Sequence, residues 1–515
     1  MSVGMFNQWC VATTLAMMSI GVWVNSAEAM QNSPGDFQPG VDVLTRGPVH
    51  EAFAETVTYN AEPGIVVSAT PREIIEEVPP EYRPDGINVT WIPGYWAWDD
   101  ERNDFLWISG IWRDLPPGRQ WIPGYWGQTP QGYQWISGYW ADASVHEVEY
   151  YPEPPESLEV GPNTAAPARN LVWMPGSWVW YQDRYAWRPG YWAAGRANWV
   201  WIPAQYNWAP RGFVYSDGYW DYPVERRGVI FAPVYFHKEV YSRSGYSYSP
   251  SIVINLDVFS DQLFVRPRYR HYYFGDYYDT RYRETGFFAS FSYQSSRYGY
   301  DPIYAHRRWQ NRGNHDWDRH DKELFAHRRD VVASRPTRTL LAQRELYSRA
   351  TRPGDRRIKI AESFDRLAKR QDSPLRFQKV DQTERAQLIG RGRAIQNTRS
   401  ERYKREAGTG EAPNKMTGES WWLTPTRVRL PKPLIVSKPV GQLGPGQAPP
   451  KRHRAPALDT KIRPKPRRTD NAQGATRERH STRSDSRSPP RKIESKEKPK
   501  KEDNPKHKPK KKSKD

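Results

Sequence analysis

Aromatic residues dominate the pattern along the middle of the chain, and they recur at fixed intervals. An aromatic-x-x-Gly-x-aromatic unit starts at Trp91, Trp107, Trp121, Trp135, Trp173, Trp187 and Trp201 and ends at Trp96, Trp112, Trp126, Trp140, Trp178, Trp192 and Tyr206. The last of these has Ala204 in place of the glycine, and two worn copies follow at Tyr215–Trp220 and Phe231–Phe236. Successive starts lie 16, 14, 14, 38, 14, 14, 14 and 16 residues apart. A fixed period marks a repeat array whose units bury their apolar faces only against one another. Every spacing is even, so no unit is flipped to the opposite face of a strand, which predicts β-structure. Phe105, Tyr133, Leu171, Tyr185, Trp199 and Phe213, each two positions before a unit, extend the same alternation. The connectors between units are polar and turn-rich.

Within a unit the two aromatics are five apart, and five is odd. Two geometries would bring both rings to one side. A type II turn centred on Pro93-Gly94 would set Trp91 across a hairpin from Trp96. A bulge at Gly94 would shift the parity instead, and it is favoured because type II turns splay hairpin strands. Either yields an aromatic ladder. Its tryptophans could be packing core, or one face could stay open as a platform on which sugar rings stack. The candidate stacking residues are Trp91, Trp96, Trp107, Trp112, Trp121, Trp126, Trp135, Trp140, Trp173, Trp178, Trp187, Trp192 and Trp201. An excess of Trp and Tyr over branched aliphatics supports the open platform, because packing alone favours aliphatics.

Outside the array, residues 251–259 alternate as a strand, and residues 265–300 mix arginine with tyrosine, a combination that stacks on bases or sugars or else fills an irregular β-region. From about Trp309 the pattern turns helical: Leu340, Leu341 and Leu346 mark one helix ending before Pro353, and Ile360, Phe364 and Leu367 lie on one face of a second. The predicted organisation is a signal peptide over 1–29, an acidic and largely irregular segment over 30–84, the two halves of the array over 85–145 and 171–240, and an acidic Pro-rich linker over 146–170. A Tyr-rich β extension over 241–300, a basic helical region over 301–408 and a disordered, low-complexity polybasic tail over 409–515 complete it. The fold class is mainly β.

Composition sharpens this division. Of 24 tryptophans in 515 residues, 18 lie between Trp91 and Trp220. A mean hydropathy of -0.89 and 46 prolines exclude one large aliphatic core. The net charge of +19 is split: residues 451–515 carry +15 and residues 30–90 carry −7. An acidic head and a basic tail point to a polyanionic partner for the tail. The apolar run from Trp9 to Val24 leads into Ala27 and Ala29, a small-x-small cleavage pattern, so cleavage after Ala29 is expected; the n-region has no Lys or Arg, which leaves an uncleaved anchor as the other reading. Cleavage removes Cys10, the one cysteine, and with it any disulfide or thiol chemistry. No later stretch is long and apolar enough to span a membrane.

For an enzyme the chain offers little. His315, Asp316, Asp318, His320, Asp321 and His327 are metal-ligand types, but interleaved Arg319, Lys322, Arg328 and Arg329 make a solvated, ion-paired helix the better reading. Phosphate-loop, HExxH and G-x-S-x-G motifs are missing, and the expectation is no catalytic residue, no metal and no cofactor. The seven clear units from Trp91 to Tyr206 resemble those of bacterial envelope proteins carrying the YXWGXW, or WXXGXW, repeat, and the lead-in over residues 77–126 looks like long secreted versions found in planctomycetes. The resemblance covers roughly residues 75–240, and it implies export and a cell-envelope setting without an assigned reaction. The functional expectation is therefore a non-enzymatic exported envelope protein, periplasmic or secreted. Its array would scaffold or hold a glycan, and its tail would tether it to an acidic polymer. The expected partners are envelope polysaccharide or another acidic polymer, with self-association through strand edges and with nucleic acid the less natural polyanion. The competing class is a polyanion or nucleic-acid binder acting through its basic C-terminal half.

Overall fold

The structure is a computed structural model that describes residues 38–349, 359–407, 425–443, 448–451 and 454–464. The expected signal peptide and the stretch 465–515 of the basic tail lie outside the described residues. The chain is mainly β, built from many short antiparallel sheets with few helices.

Two consecutive units fold as one hairpin with a kink halfway along both arms. In the first, Val89–Ile92 pairs with Ile111–Asp114, setting Trp91 opposite Trp112, and Tyr95–Asp99 pairs with Asp104–Ile108, setting Trp96 opposite Trp107. Ile92 faces Ile111 and Tyr95 faces Ile108, so Pro93-Gly94 lies opposite Ser109-Gly110 and the register runs through the kink with no residue gained or lost. The second module repeats this with Trp121 opposite Trp140 and Trp126 opposite Trp135. The third sets Trp173 opposite Trp192 and Trp178 opposite Trp187, and the fourth Trp201 opposite Trp220 and Tyr206 opposite Tyr215. The structural repeat is thus two units long.

Neither expected geometry of the Pro-Gly forms. The turns sit in the polar connectors instead, where Asn103, Gln182 and Asp183 take φ of 50°, 48° and 58°, while no motif glycine enters the positive-φ region. Because the register is unshifted, the odd spacing sends the two aromatic pairs of a module into different clusters: Trp91 and Trp112 into one, Trp96 and Trp107 into another. Both rings on one side of one ladder was the wrong picture, since a matched kink in both arms needs no bulge to preserve pairing.

The ninth unit closes the array. Gly228–Ile230 pairs with Ile111–Asp114 and Val234–Phe236 with Asp104–Ile108, so this unit becomes a third arm of the first module. Val41–Val43 then adds to its outer edge. The acidic segment from residue 38 is mostly irregular, yet it runs through the core: Val49, Ala52, Phe53, Ala54 and Val57 are all buried in the largest cluster. The segment expected to link two lobes is also engaged, with Glu147–Tyr151 paired to both Gly212–Ser216 and Thr426–Arg429. The described residues fall in one compact unit.

Three further expectations need correction. Residues 251–259 are a strand only over Ile252–Ile254, after which Asn255 caps a helical turn over Leu256–Phe259 by accepting from the Asp257 N–H at 3.0 Å. The helix anticipated around Ile360 begins only at Phe364 and ends at Lys369, because Ala361–Ser363 pairs with Ile252–Ile254. The tail is ordered in part: beyond the strand Thr426–Arg429, Ile435 is buried at 2% exposure and its carbonyl accepts the Trp121 N–H at 2.9 Å. The expected helix at Leu340, Leu341 and Leu346 forms over Leu340–Arg349, and Gln382–Ala407, the longest helix among the described residues, lies in the expected basic helical region without an apolar stripe to mark its bounds.

Candidate functional site: tryptophan modules closed by buried glutamates

The Trp-x-x-Gly-x-Trp spacing has a packing reason. The first tryptophan of a unit leans diagonally over the glycine of the partner unit, which lies two residues before the tryptophan it faces. A Cβ on Gly110 would sit 2.5 Å from Trp91 Cζ2, on Gly124 2.8 Å from Trp135 Cζ2, on Gly176 2.6 Å from Trp187 Cζ2, and on Gly218 2.5 Å from Trp201 Cζ2. Only glycine admits an indole that close. The facing aromatic pairs keep centroids of 5.1 Å at Trp96–Trp107 and at Trp201–Trp220 and 5.4 Å at Trp126–Trp135 and at Trp173–Trp192, tilted or edge-to-face, the geometries that the ring quadrupole prefers. Where Ala204 replaces the glycine, the aromatic that this geometry would lay over it is Tyr215, a smaller ring.

The same spacing aims two donors at one acceptor. The kink leaves the glycine N–H outside the strand ladder, and a buried N–H must find a partner. In the first module Glu77 accepts the Trp107 indole N–H at 2.6 Å together with the Gly110 N–H at 3.0 Å and the Gly94 N–H at 2.7 Å. In the second, Glu51 accepts from the Trp135 indole and from Gly138 N–H, both at 2.9 Å. In the third, Glu159 accepts from the Trp173 indole at 3.0 Å and from Gly176 N–H. In each case the indole and the glycine belong to one unit, three residues apart. Glu55 joins two modules, accepting the Trp140 N–H at 3.2 Å and the Tyr219 hydroxyl at 2.8 Å.

Arginines serve the opposite side of the kinks. Arg402 donates to the carbonyls of Pro123 at 2.9 Å and Ser137 at 3.0 Å, Arg399 to that of Gly94 at 3.1 Å, and Arg119 to that of Gly218 at 3.1 Å. Arg399 and Arg402 come from the helix Gln382–Ala407, whose buried face consists of Leu388, Ile395, Arg399, Arg402 and Glu406. Glu406 pairs with Arg402 at 2.9 Å and accepts the Tyr125 and Tyr150 hydroxyls, each at 2.7 Å.

Burial shapes the electrostatics. It pushes the Glu51 carboxyl up to about 8 and those of Glu55 and Glu77 up to about 7, against the pull of the N–H and O–H donors each accepts. Glu159 is also raised by burial. His50, whose Nε2 lies 3.2 Å from the Pro93 carbonyl, is lowered by burial to about 3, and His271, 2.8 Å from the Tyr95 hydroxyl, to about 4.

Of the thirteen candidate stacking residues, Trp91, Trp96, Trp107, Trp112, Trp121, Trp135, Trp140, Trp178 and Trp187 are buried, at 6% exposure or less. Trp126, Trp173, Trp192 and Trp201 are half-buried. In the first two modules every candidate ring except Trp126 is therefore enclosed, sandwiched between a facing ring, a glycine and the outer segments. The arginine–tyrosine stretch behaves likewise: Tyr272, Tyr273, Tyr277, Tyr278, Tyr282, Tyr293 and Tyr300 are buried, and Tyr298 is exposed at 60%. His315, Asp316, His320 and His327 are exposed around the helix Trp317–Asp330, where Asp318 pairs with Lys322 at 2.6 Å and Arg319 with Glu323 at 2.9 Å. Among the described residues no group of His, Cys, Asp and Glu converges on a metal-sized site, and no helix is long and apolar enough to cross a membrane.

Sequence reasoning missed the glutamates and the arginines alike. The usable signal was slight: acidic residues at 51, 55 and 77 set among apolar neighbours in a segment otherwise read as loose.

The family model described as WXXGXW repeat (2 copies) matches residues 86–113, 121–141, 169–193 and 196–221. Each match coincides with one kinked hairpin, so the two copies of the family description are the two arms that lean on each other's glycines. The chain carries this repeat four times over. No curated protein and no solved structure matches it.

Proposed function

We propose that this chain is a non-enzymatic, exported protein of the cell envelope. Its tryptophan modules form a rigid scaffold, and its basic C-terminal stretch tethers that scaffold to an anionic envelope polymer. The observation that supports this most is the use made of the repeat: in three of the four modules indole, glycine and glutamate are all committed to closing the module, which suits a load-bearing body better than a reactive one. The charge split supports the tether, because residues 451–515 carry +15, and a polycation binds polyanions by counterion release.

Cosedimentation with an anionic wall polymer at low and high salt tests the reading. The full chain should bind at low salt and be released at high salt. A chain ending at residue 464, which keeps the strand Thr426–Arg429 in place, should lose that binding while its tryptophan emission stays unchanged. Salt-insensitive binding, or binding untouched by the truncation, would overturn the tether.

A further inference from the structure

A second binding feature lies on the first module, away from the tail. The loop between Tyr82–Pro84 and Val89–Ile92, the strand Phe377–Lys379 and the first half of the helix Gln382–Ala407 enclose a cleft of about 620 Å³. That volume is the size of ordinary small-ligand sites. Its walls carry Arg83, Arg391 and Lys438 against Asp85 and Glu384, with the amides of Gln378 and Gln387 between them. Val89, Leu388 and Ile87 supply an apolar strip.

The polar groups are held in place. Arg391 donates to Thr90 Oγ1 at 2.9 Å and Arg83 pairs with Glu384 at 3.0 Å, which hold those two guanidinium groups, and the Lys438 backbone N–H donates to Asn88 Oδ1 at 2.7 Å, which anchors the segment that carries its side chain beside the same space. The side chains of Asp85, Gln378, Gln387, Arg391 and Lys438 remain exposed. Beneath them Trp112 closes the floor, fully buried with its indole N–H unpartnered.

The geometry points to a binding site for a short acidic sugar, in size and chemistry a disaccharide that carries one uronic-acid unit. A net positive lining favours one carboxylate, which Lys438 and Arg391 can take by charge-assisted hydrogen bonds. Two carboxylates and two amides suit the hydroxyl groups of a sugar ring, whereas a phosphate-dense ligand would meet Asp85 and Glu384 as like charges. The apolar strip fits the C–H face of the ring. This inference gives the anionic polymer of the proposed function a specific contact on the folded body, and it rests on that reading only for the identity of the polymer.

The test is calorimetric titration of the full chain with cellobiouronic acid, which carries one carboxylate, and, in parallel, with neutral cellobiose. Cellobiouronic acid should bind saturably at one site and cellobiose should not. Lys438→Glu should weaken the acidic disaccharide about tenfold or more, the loss of one charge-assisted contact, and Gln387→Ala, also at an exposed position, should weaken it less. Unchanged melting temperatures would show that both variants fold. Equal affinity of Lys438→Glu and the parent, equal binding of cellobiose, or no saturable binding by the parent would each overturn the site. The Lys438→Glu chain keeps its tail, so its salt-sensitive cosedimentation with wall polymer should persist, and loss of the cleft is thereby separated from loss of the tether.

Discussion

The indole of Trp121 occupies the space that a Cβ on Gly138 would need, and the same relationship joins Trp91 to Gly110. Gly138 does not have a positive φ, so alanine there meets no conformational penalty, but its Cβ would meet the ring and, at 2.8 Å, the Ile122 carbonyl oxygen. Gly138→Ala should cost about 1–3 kcal/mol through overpacking, whereas Gly313→Ala, with nothing within 4 Å, should fall within about 0.5 kcal/mol of the parent. Adding Trp121→Tyr to Gly138→Ala should recover part of the loss, as the natural pairing of Ala204 with Tyr215 suggests. Urea denaturation of the single and double variants measures this coupling.

Glu51 predicts a pH dependence. Its folded carboxyl is raised from an ordinary 4.5 to about 8, so between those values the folded state holds a proton that the unfolded chain has released. Its contribution to stability is present below about 4.5 and is lost as pH rises toward 8. The stability difference between the parent and Glu51→Gln should therefore shrink as pH rises across that window. His50 and His271 titrate in the opposite sense, lowered by burial to about 3 and 4, but they are common to both chains and cancel in the difference. Denaturant midpoints at pH 5, 6.5 and 8 decide it; a constant difference would refute the assignment.

Arg402 and Glu406 are buried together at 1% exposure each. Removing the guanidinium strands a carboxylate and frees two kink carbonyls, so Arg402→Ala should destabilise by about 3–5 kcal/mol. The double variant Arg402→Ala, Glu406→Ala should cost less than the two single losses added together, because neither charge is then left alone. Chemical denaturation across the cycle checks it.

Tryptophan emission should separate the modules. Acrylamide is expected to quench a minority of the signal, carried among the repeat positions by the half-buried Trp126, Trp173, Trp192 and Trp201. Replacing Trp173 and Trp192 by phenylalanine should remove much of the quenchable fraction, and the same replacement at Trp96 and Trp107 should not. Stern–Volmer plots give the comparison.

The β-structure was legible because aromatic and bulky residues recur with strand alternation around each unit, and Trp91 with Trp112 and Trp96 with Trp107 do pair across one antiparallel hairpin. The role of Pro93-Gly94 was not, because a lone unit cannot reveal that Gly94 needs room for Trp107 on another arm. Glu51 and Glu77 were invisible for a related reason, since a carboxylate meeting donors from residues dozens of positions away leaves no local pattern. The helix Gln382–Ala407 falls inside the basic region expected to be helical, but its bounds were not legible because its buried face includes Arg399, Arg402 and Glu406 where an amphipathic helix would carry apolar residues. Thr426–Arg429 lies in a basic stretch whose composition reads as unfolded, and its strand pairing to Glu147–Tyr151 is set by long-range contacts.

The docking of Phe231–Phe236 onto the first module covers one strand edge of that module. Open solenoids lengthen by duplication because each new repeat finds a free end. Here the edge of the first module where a further hairpin could add is already taken by the ninth unit, with Val41–Val43 laid over that. A duplicated module could not be seated at that edge without unfastening this clasp, so the last aromatic unit acts as a stopper on the first.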